Sequence, residues 1–584
     1  LAALTAFEQH LIRSEVLDEA KLSRAKAESS AKDLPLEDVI PQLGFASEEA
    51  VYQSLADFCE MRYVRPVAED IALELVSKVP ARYATHYNIV PIEEQRGAIV
   101  IAVSNPMNTH GLDDLRMVLK QRVIPVVATP AHIRQTIKKI YGVGADTMER
   151  ILSREDHDGE VLQLERRAES ADLGDDKIDA SIIKFVNELI LEAVQSDTTD
   201  IHIEPFEESL RVRYRIDGIL HQAPVPPSIR GFHAAIVSRV KIMANLNIAE
   251  RRLPQDGKIL ATLGDQQYDL RVSILPTPHG ETVNMRILNR SSVFLTLDQL
   301  GFREEDMRLF NGFITKPHGI ILVTGPTGSG KTTTLYAALS KLNSIDRKII
   351  TIEDPIEYQL TGITQMQVLP KIGFDFSMGL RSMLRHDPDI MLVGEIRDYE
   401  TAEMAIRSSL TGHLVLSTLH TNDSSGAVTR LIDMGVEPFL ISSTVICSIA
   451  QRLVRRLCTK CSEPIEPDWP VLRAEFGVRE ADAAHAKFLR GNGCEHCRHT
   501  GYKGRQAIYE ILPFTSEIKR LTVERATAVD IKRQGLIEGV RTLRRSGWLR
   551  VMDGETTVEE VLRVTADAEV LGETSETPHA PVQV

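Results

Sequence analysis

Apolar positions open the chain at roughly helical spacing: Phe7, Leu11, Ile12, Val16, Leu17 and Leu22 fit helices that bury one face. Leu34 to Tyr63 repeats that texture, with Gly44 and Ser47 as stop and cap between two helices. Residues 1–67 are therefore expected to form a helical subdomain. From 68 to 142 the pattern becomes mixed α/β: a strand at Ala98–Val103, a turn at Asn105-Pro106 and a helix over Ile133–Tyr141. Residues 143–175 are acidic and polar and read as a flexible linker. In 176–290 an amphipathic helix over Asp179–Gln195 precedes strands at Asp200–Glu204, Leu210–Ile216, Tyr268–Ile274 and Thr282–Leu288. The last two are joined by Pro276–Gly280, a turn by composition. In 291–457 the texture changes again. Gly319–Thr324, Ile349–Glu353 and Ile390–Val393 are short apolar runs, the mark of strands buried on both faces. A cysteine-bearing module over 458–512, helices over 513–565 and a disordered tail over 566–584 complete the expected order.

Composition narrows the class. A chain of 584 residues is too long for one core. With 43% hydrophobic and 26% charged residues it has the make-up of a soluble globular protein. The net charge of −14 disfavours a general nucleic-acid binder. No apolar run reaches the ~18 residues of a membrane helix, and no signal-peptide pattern opens at Leu1. A cytoplasmic protein is expected.

The run Gly319–Thr324 leads into Gly325-Pro326-Thr327-Gly328-Ser329-Gly330-Lys331-Thr332, and Thr333–Leu342 is helix-compatible. Strand, glycine loop and helix are the setting of G-x-x-x-x-G-K-[ST], a phosphate-binding loop. Its backbone N–H groups and the helix N-terminus suit phosphate oxygens. Lys331 is expected to reach the β- and γ-phosphates of ATP and Thr332 to hold Mg²⁺. Two further runs end in acids, where sheet ligands collect. Glu353 is a candidate to orient or deprotonate the attacking water, and Asp354 to act on the Mg²⁺ shell. After Ile390–Val393, Gly394 stands where Asp usually ends the strand, and Glu395 follows. His413 and His420 flank another short strand. They are candidates to sense the γ-phosphate, with hydrogen-bonded structural histidines as the competing reading.

Four blocks in this order resemble the traffic ATPases of type II secretion and type IV pilus assembly: the loop, Thr351–Pro355, Gly394–Asp398 and Thr411–Asn422. Ile356–Leu360, Ala427–Gly435 and Glu437–Leu440 look most like the type II secretion branch; pilus extension is the alternative. The resemblance implies a RecA-like P-loop ATPase core preceded by a PAS-like α+β domain and by helical and mixed amino-terminal domains. It makes Glu395 the main catalytic glutamate, supported by Glu353, in a homohexamer that binds peripherally to the inner membrane. An inner-membrane secretion platform protein and a membrane-anchored recruiting protein would dock on the amino-terminal domains. Some relatives bind cyclic di-GMP through a motif beginning Arg-Leu-Gly. Here Ala6-Phe7-Glu8 stands in its place, with Glu15 where Gly is usual, so no cyclic di-GMP binding is expected.

Cys458-x-x-Cys461 and Cys494-x-x-Cys497 predict a closed structural Zn²⁺ site, against free thiols or a redox pair. Arg271 and Arg286 lie equidistant from the middle of the Pro276–Gly280 turn, so a symmetric hairpin would oppose them. Opposed like charges need an anion. It could be a triphosphate reached as an arginine finger, in cis or in trans, as the family resemblance favours. A shared carboxylate or a solvated edge are the alternatives. Arg381 and Arg385, four apart on a predicted helix, are second candidates. A ring nucleic-acid translocase and a low-turnover nucleotide-regulated adaptor remain the functions from other classes. No nucleic-acid partner is expected.

Overall fold

The computed structural model describes residues 5–32, 34–106, 109–119, 121–142, 176–263, 266–289, 295–483 and 485–565. The expected linker at 143–175 and tail at 566–584 lie outside them. The chain divides into two compact units, Leu1–Asn289 and Arg290–Val584.

The first unit opens with helices Ala6–Arg13, Glu19–Lys32, Leu36–Gln42 and Glu48–Phe58. Thr5 and Glu8 form a capping box, and Ser47 caps the fourth helix. Phe7, Leu11, Leu17, Leu22, Val51 and Leu55 share one core. Glu8, which stands in the place of the cyclic di-GMP motif, is 6% exposed, accepts from the Thr5 N–H at 2.8 Å and pairs with Lys26 at 2.9 Å.

A three-stranded sheet follows, β1 (Ile89–Gln95), β2 (Ala98–Val103) and β3 (Arg122–Val127), with β2 central and wholly buried. The helix Asp176–Gln195 then precedes six antiparallel strands. These are β4 (Thr198–Pro205), β5 (Leu210–Ile216), β6 (Ile219–Gln222), β7 (Gln255–Leu263), β8 (Gln266–Thr277) and β9 (Gly280–Asn289). Their order is β6-β5-β4-β9-β8-β7. The β8–β9 turn is tighter than expected, because Thr277 pairs with Gly280 and leaves only Pro278 and His279 between the strands.

The second unit is built on seven strands: β10 (Gly319–Thr324), β11 (Ile349–Glu353), β12 (Thr364–Gln367), β13 (Ile390–Val393), β14 (Leu414–Leu419), β15 (Val445–Leu457) and, later in the chain, Tyr502–Pro513. Two short strands, β16 (Ser462–Pro464) and β17 (Leu489–Gly491), intervene, so the last is β18. The order is β12-β11-β13-β14-β10-β15-β18, parallel throughout except for β18. Alternate residues of β10 feed opposite layers: Ile320 and Leu322 pack into one core, Ile321 and Val323 into the other. The expected 458–512 module is not set apart from the ATPase sheet. Its last residues form β18, which pairs along β15, and the cysteines lie on the connection between these two strands. Trp548, 1% exposed, anchors the carboxy-terminal helices against Phe476 and Phe488.

Candidate nucleotide site and cysteine cluster

The parallel strands β10, β11, β13 and β14 deliver their carboxyl ends to one edge of the sheet, where ligands of open α/β sheets bind. The loop leaving β10 requires its glycines. Gly325, Gly328 and Gly330 have φ of 149°, 80° and 88°. A Cβ on Gly325 would lie 2.6 Å from the Gln451 carbonyl oxygen, and one on Gly330 would lie 2.8 Å from Gln451 Nε2. Gly330 caps the helix Lys331–Leu342, so Lys331, Thr332 and Thr333 bring the positive end of the helix to the loop. Lys331 Nζ donates to the carbonyls of Gly325 at 2.8 Å and Pro326 at 3.1 Å. Burial pushes its pKa down to about 8, opposed by the charge of Glu395 and reinforced by that of Arg452. Ser329 Oγ is buried without a hydrogen-bond partner among the described residues. A glycine cradle, an inward lysine and an unsatisfied hydroxyl are what a bound triphosphate would use.

The two glutamates differ. Glu353 ends β11, is 3% exposed and accepts from three side chains. These are Thr351 Oγ1 at 2.6 Å, Gln365 Nε2 at 3.1 Å and the Tyr336 hydroxyl. Burial first, and the Glu353 charge next, raise the Tyr336 pKa, so this hydroxyl remains a donor. Glu395 follows β13 with its side chain 12% exposed. Arg397 pairs with one carboxylate oxygen, and His420 Nε2 stands 3.2 Å from the other. Arg397 also stands 3.9 Å from Asp354, spanning both acids. Gly394 has a local reason. A Cβ there would lie 3.3 Å from both Glu353 Cα and the Ile352 carbonyl oxygen. The acid is therefore carried one residue later.

The two histidines lie at opposite ends of β14, which corrects the reading of His413. Its carbonyl accepts from the N–H of Gly319, the first residue of β10, and its Nδ1 lies 2.8 Å from the Ser408 carbonyl oxygen. At ~3.3 Å per residue a six-residue strand puts it roughly 20 Å from the phosphate-loop edge. His413 is hydrogen-bonded there and away from any phosphate; His420 stands at the site.

Arg271 and Arg286 do face each other across β8 and β9. A carboxylate stands beside Arg286: Asp200, 6% exposed, takes its Nε at 3.0 Å and has Arg215 Nε at 3.7 Å. The helix carrying Arg381 ends at Met383, so Arg385 lies in the following turn and donates back to the Arg381 carbonyl at 2.9 Å. Arg381 stands 3.6 Å from Glu400. Sequence reasoning passed over Tyr336, Gln365, Gln451 and Arg452. The last two lie in the middle of β15, directly after its apolar first half, and only the parallel pairing of β10 with β15 brings them under the loop.

Cys458, Cys461, Cys494 and Cys497 gather with all four sulfurs within 4.8 Å of one another. Three of the Sγ···Sγ separations are 3.7–3.8 Å. Four sulfurs around Zn²⁺ at about 2.3 Å in a tetrahedron stand about 3.8 Å apart, so the donor set fits that ion. Burial opposes the Cys497 thiolate, but N–H donation from Cys494 and Gly501 prevails and brings its pKa down to about 7.

Residues 175–563 match the type II/IV secretion system protein family. The chain belongs to that family. Residues 59–147 match the MshEN domain. The type IV pilus assembly ATPase PilB of Myxococcus xanthus is 40% identical over 566 residues, 95% of this chain and 98% of its own. The type II secretion system protein E of Xanthomonas campestris pv. campestris is 41% identical over 572 residues, 97% of this chain and 99% of its own. The type II secretion system ATPase E of Vibrio cholerae is 40% identical over 496 residues, 84% and 97%. Family membership together with the phosphate loop makes this chain an ATP hydrolase of the secretion family. No helix among the described residues is long and apolar enough to cross a membrane.

Proposed function

We propose that this chain hydrolyses Mg²⁺-ATP to power protein secretion, through pseudopilus assembly, by a type II secretion system. The observation that carries the reading is the convergence of Lys331, Glu353, Glu395 and His420 on one sheet edge, in a chain similar over nearly its whole length to type II secretion proteins. In this reading the loop residues Gly325–Thr333 hold the triphosphate. Thr332 and Asp354 serve Mg²⁺, Glu395 activates the attacking water and Glu353 assists it. Arg271 and Arg286, with Arg381 and Arg385, are the candidate fingers of a homohexamer. For Arg286 the neighbouring Asp200 supports a structural share in its role. The four cysteines hold a structural Zn²⁺. The amino-terminal unit docks on an inner-membrane platform protein and a membrane-anchored recruiting protein, which keeps a cytoplasmic chain at the membrane, and it does not bind cyclic di-GMP.

Type IV pilus assembly is the second reading, favoured by the likeness to PilB. Deleting the gene and measuring both secreted protein and surface pili separates the two. Loss of secretion with pili intact supports the first; loss of pili alone overturns it. A ring nucleic-acid translocase would show ATP turnover stimulated by single-stranded DNA, and none is expected.

A further inference from the structure

The loop that follows β14 is fastened from two sides by the β15–β18 pair. Arg452 Nη2 donates to the Asn422 carbonyl at 2.8 Å. Its other terminal nitrogen donates to the Gln451 carbonyl at 3.1 Å and lies 3.1 Å from where a Gly325 Cβ would stand. On the far side Glu510, 3% exposed, accepts from the Ser424 N–H at 2.9 Å and from its hydroxyl at 2.6 Å. The second Glu510 oxygen accepts from the Leu543 N–H at 3.2 Å. One guanidinium thus ties β15, at a point beside Gly325, to the segment just after His420, whose ring stands 3.2 Å from Glu395.

We propose that Arg452 is a positioning residue that fastens the His420–Ser424 loop to β15 beside the phosphate loop, with Glu510 as the opposite anchor, and so sets how His420 meets Glu395. The inference rests on the ATP-hydrolysis reading above. The work belongs to the shape of the side chain. A planar guanidinium directs two N–H donors at two fixed carbonyls, which a lysine ammonium on a flexible stem does not reproduce. The charge alone is therefore insufficient, and the effect falls on the chemical step, since the phosphate cradle itself is built from Gly325–Thr332.

The test uses the full-length chain with Arg452→Gln, Arg452→Lys, His420→Ala and the double variant Arg452→Gln/His420→Ala. Steady-state kcat and KM, affinity for a fluorescent ATP analogue, melting curves and assembly size are measured on each. Misplacing a catalytic constellation by about 1 Å costs about 10²-fold. Arg452→Gln and Arg452→Lys should therefore both lose about 10–100-fold in kcat, with analogue affinity and assembly size unchanged. The double variant should be no slower than the slower single one, as residues acting as a unit behave. Should the Gln variant fail to fold, Arg452→Lys carries the test. Unchanged kcat, full activity in Arg452→Lys, losses that multiply in the double variant, or weakened analogue binding that accounts for the loss would each overturn the proposal. A wild-type chain without ATP turnover would instead remove the reading on which it rests.

Discussion

Tyr336→Phe removes one hydroxyl, which donates to Glu353 and accepts from the Glu357 N–H and from Gln365 Nε2 at 3.4 Å each. The Tyr336 ring is 1% exposed and packs edge-on against Tyr358 at 4.7 Å between centroids. A phenylalanine keeps that packing. The buried carboxylate loses one of three donors, keeping Thr351 at 2.6 Å and Gln365 at 3.1 Å, and the two long bonds into the hydroxyl go with it. Hydrogen bonds to charged groups contribute about 1.5–3 kcal/mol each. Because Glu353 is almost fully buried, water does not replace the lost donor, and the upper half of that range applies. The ATPase unit should lose about 2–3 kcal/mol, or about 4–12 °C in melting temperature at about 2–4 °C per kcal/mol for a domain of this size. The carboxylate also becomes free to rotate, so kcat should fall while nucleotide affinity holds. Calorimetric melting and steady-state kinetics on the purified chain read both quantities. A melting temperature unchanged within 1–2 °C, about the effect of a sub-kcal/mol loss, would refute the idea that the hydroxyl satisfies a buried charge.

Glu395→Gln should keep nucleotide binding and lose hydrolysis by at least ~10²-fold, whereas Lys331→Ala should lose the nucleotide itself; equilibrium binding beside a phosphate-release assay tells them apart. Elemental analysis should give one zinc per chain, and Cys458→Ser or a strong chelator should remove the metal and lower the melting temperature. ATP affinity should fall as pH rises above about 8, because an anionic phosphate prefers the Lys331 ammonium and must recruit a proton once the free lysine is neutral. Isothermal titration in buffers of differing ionisation enthalpy should show proton uptake there, and its absence would place the Lys331 pKa elsewhere. An Arg286→Ala variant takes its 3.0 Å cation from the buried Asp200, leaving the Thr199 hydroxyl at 2.8 Å and Arg215 at 3.7 Å, so it should lower the melting temperature as well as turnover. A turnover loss without any melting shift would assign Arg286 to the nucleotide alone.

Much of the second unit was legible because its strands are short apolar runs closed by chemistry. The boundaries of β10, β11 and β13 coincide with the runs read from sequence. The Arg271–Arg286 register followed from counting out from a turn, and the cysteine gathering from spacing. What stayed hidden depends on distant pairing. The β15–β18 pair closes over the cysteine-bearing connection, and nothing local marks Tyr502–Pro513 as a strand of the ATPase sheet. Strand β7 escaped because among its described side chains only Ile259 is buried below a tenth, so the chain offers little apolar alternation there. His413 was misplaced for a geometric reason. A histidine at each end of one strand cannot serve one phosphate, since the strand itself separates them.

The surroundings of the two glutamates differ in a way that suits the proposed roles, Glu395 activating water and Glu353 assisting. Glu353 is enclosed by Thr351, Gln365 and Tyr336, and those donors hold it in place. A carboxylate whose oxygens are already engaged is a poor proton acceptor. It is well suited to fixing the negative potential at the end of β11. Glu395 is engaged by side chains that can move away: Arg397, 62% exposed, and His420, 50% exposed. A Mg²⁺-triphosphate brought to the loop competes for Arg397 by simple Coulomb attraction. Release of that guanidinium would free one Glu395 oxygen while His420 kept the other, which supports the proposed role of Glu395 in activating water. That is why Gly394, which keeps β13 from crowding Glu353 and shifts the acid one residue onward, matters as much as the acid itself.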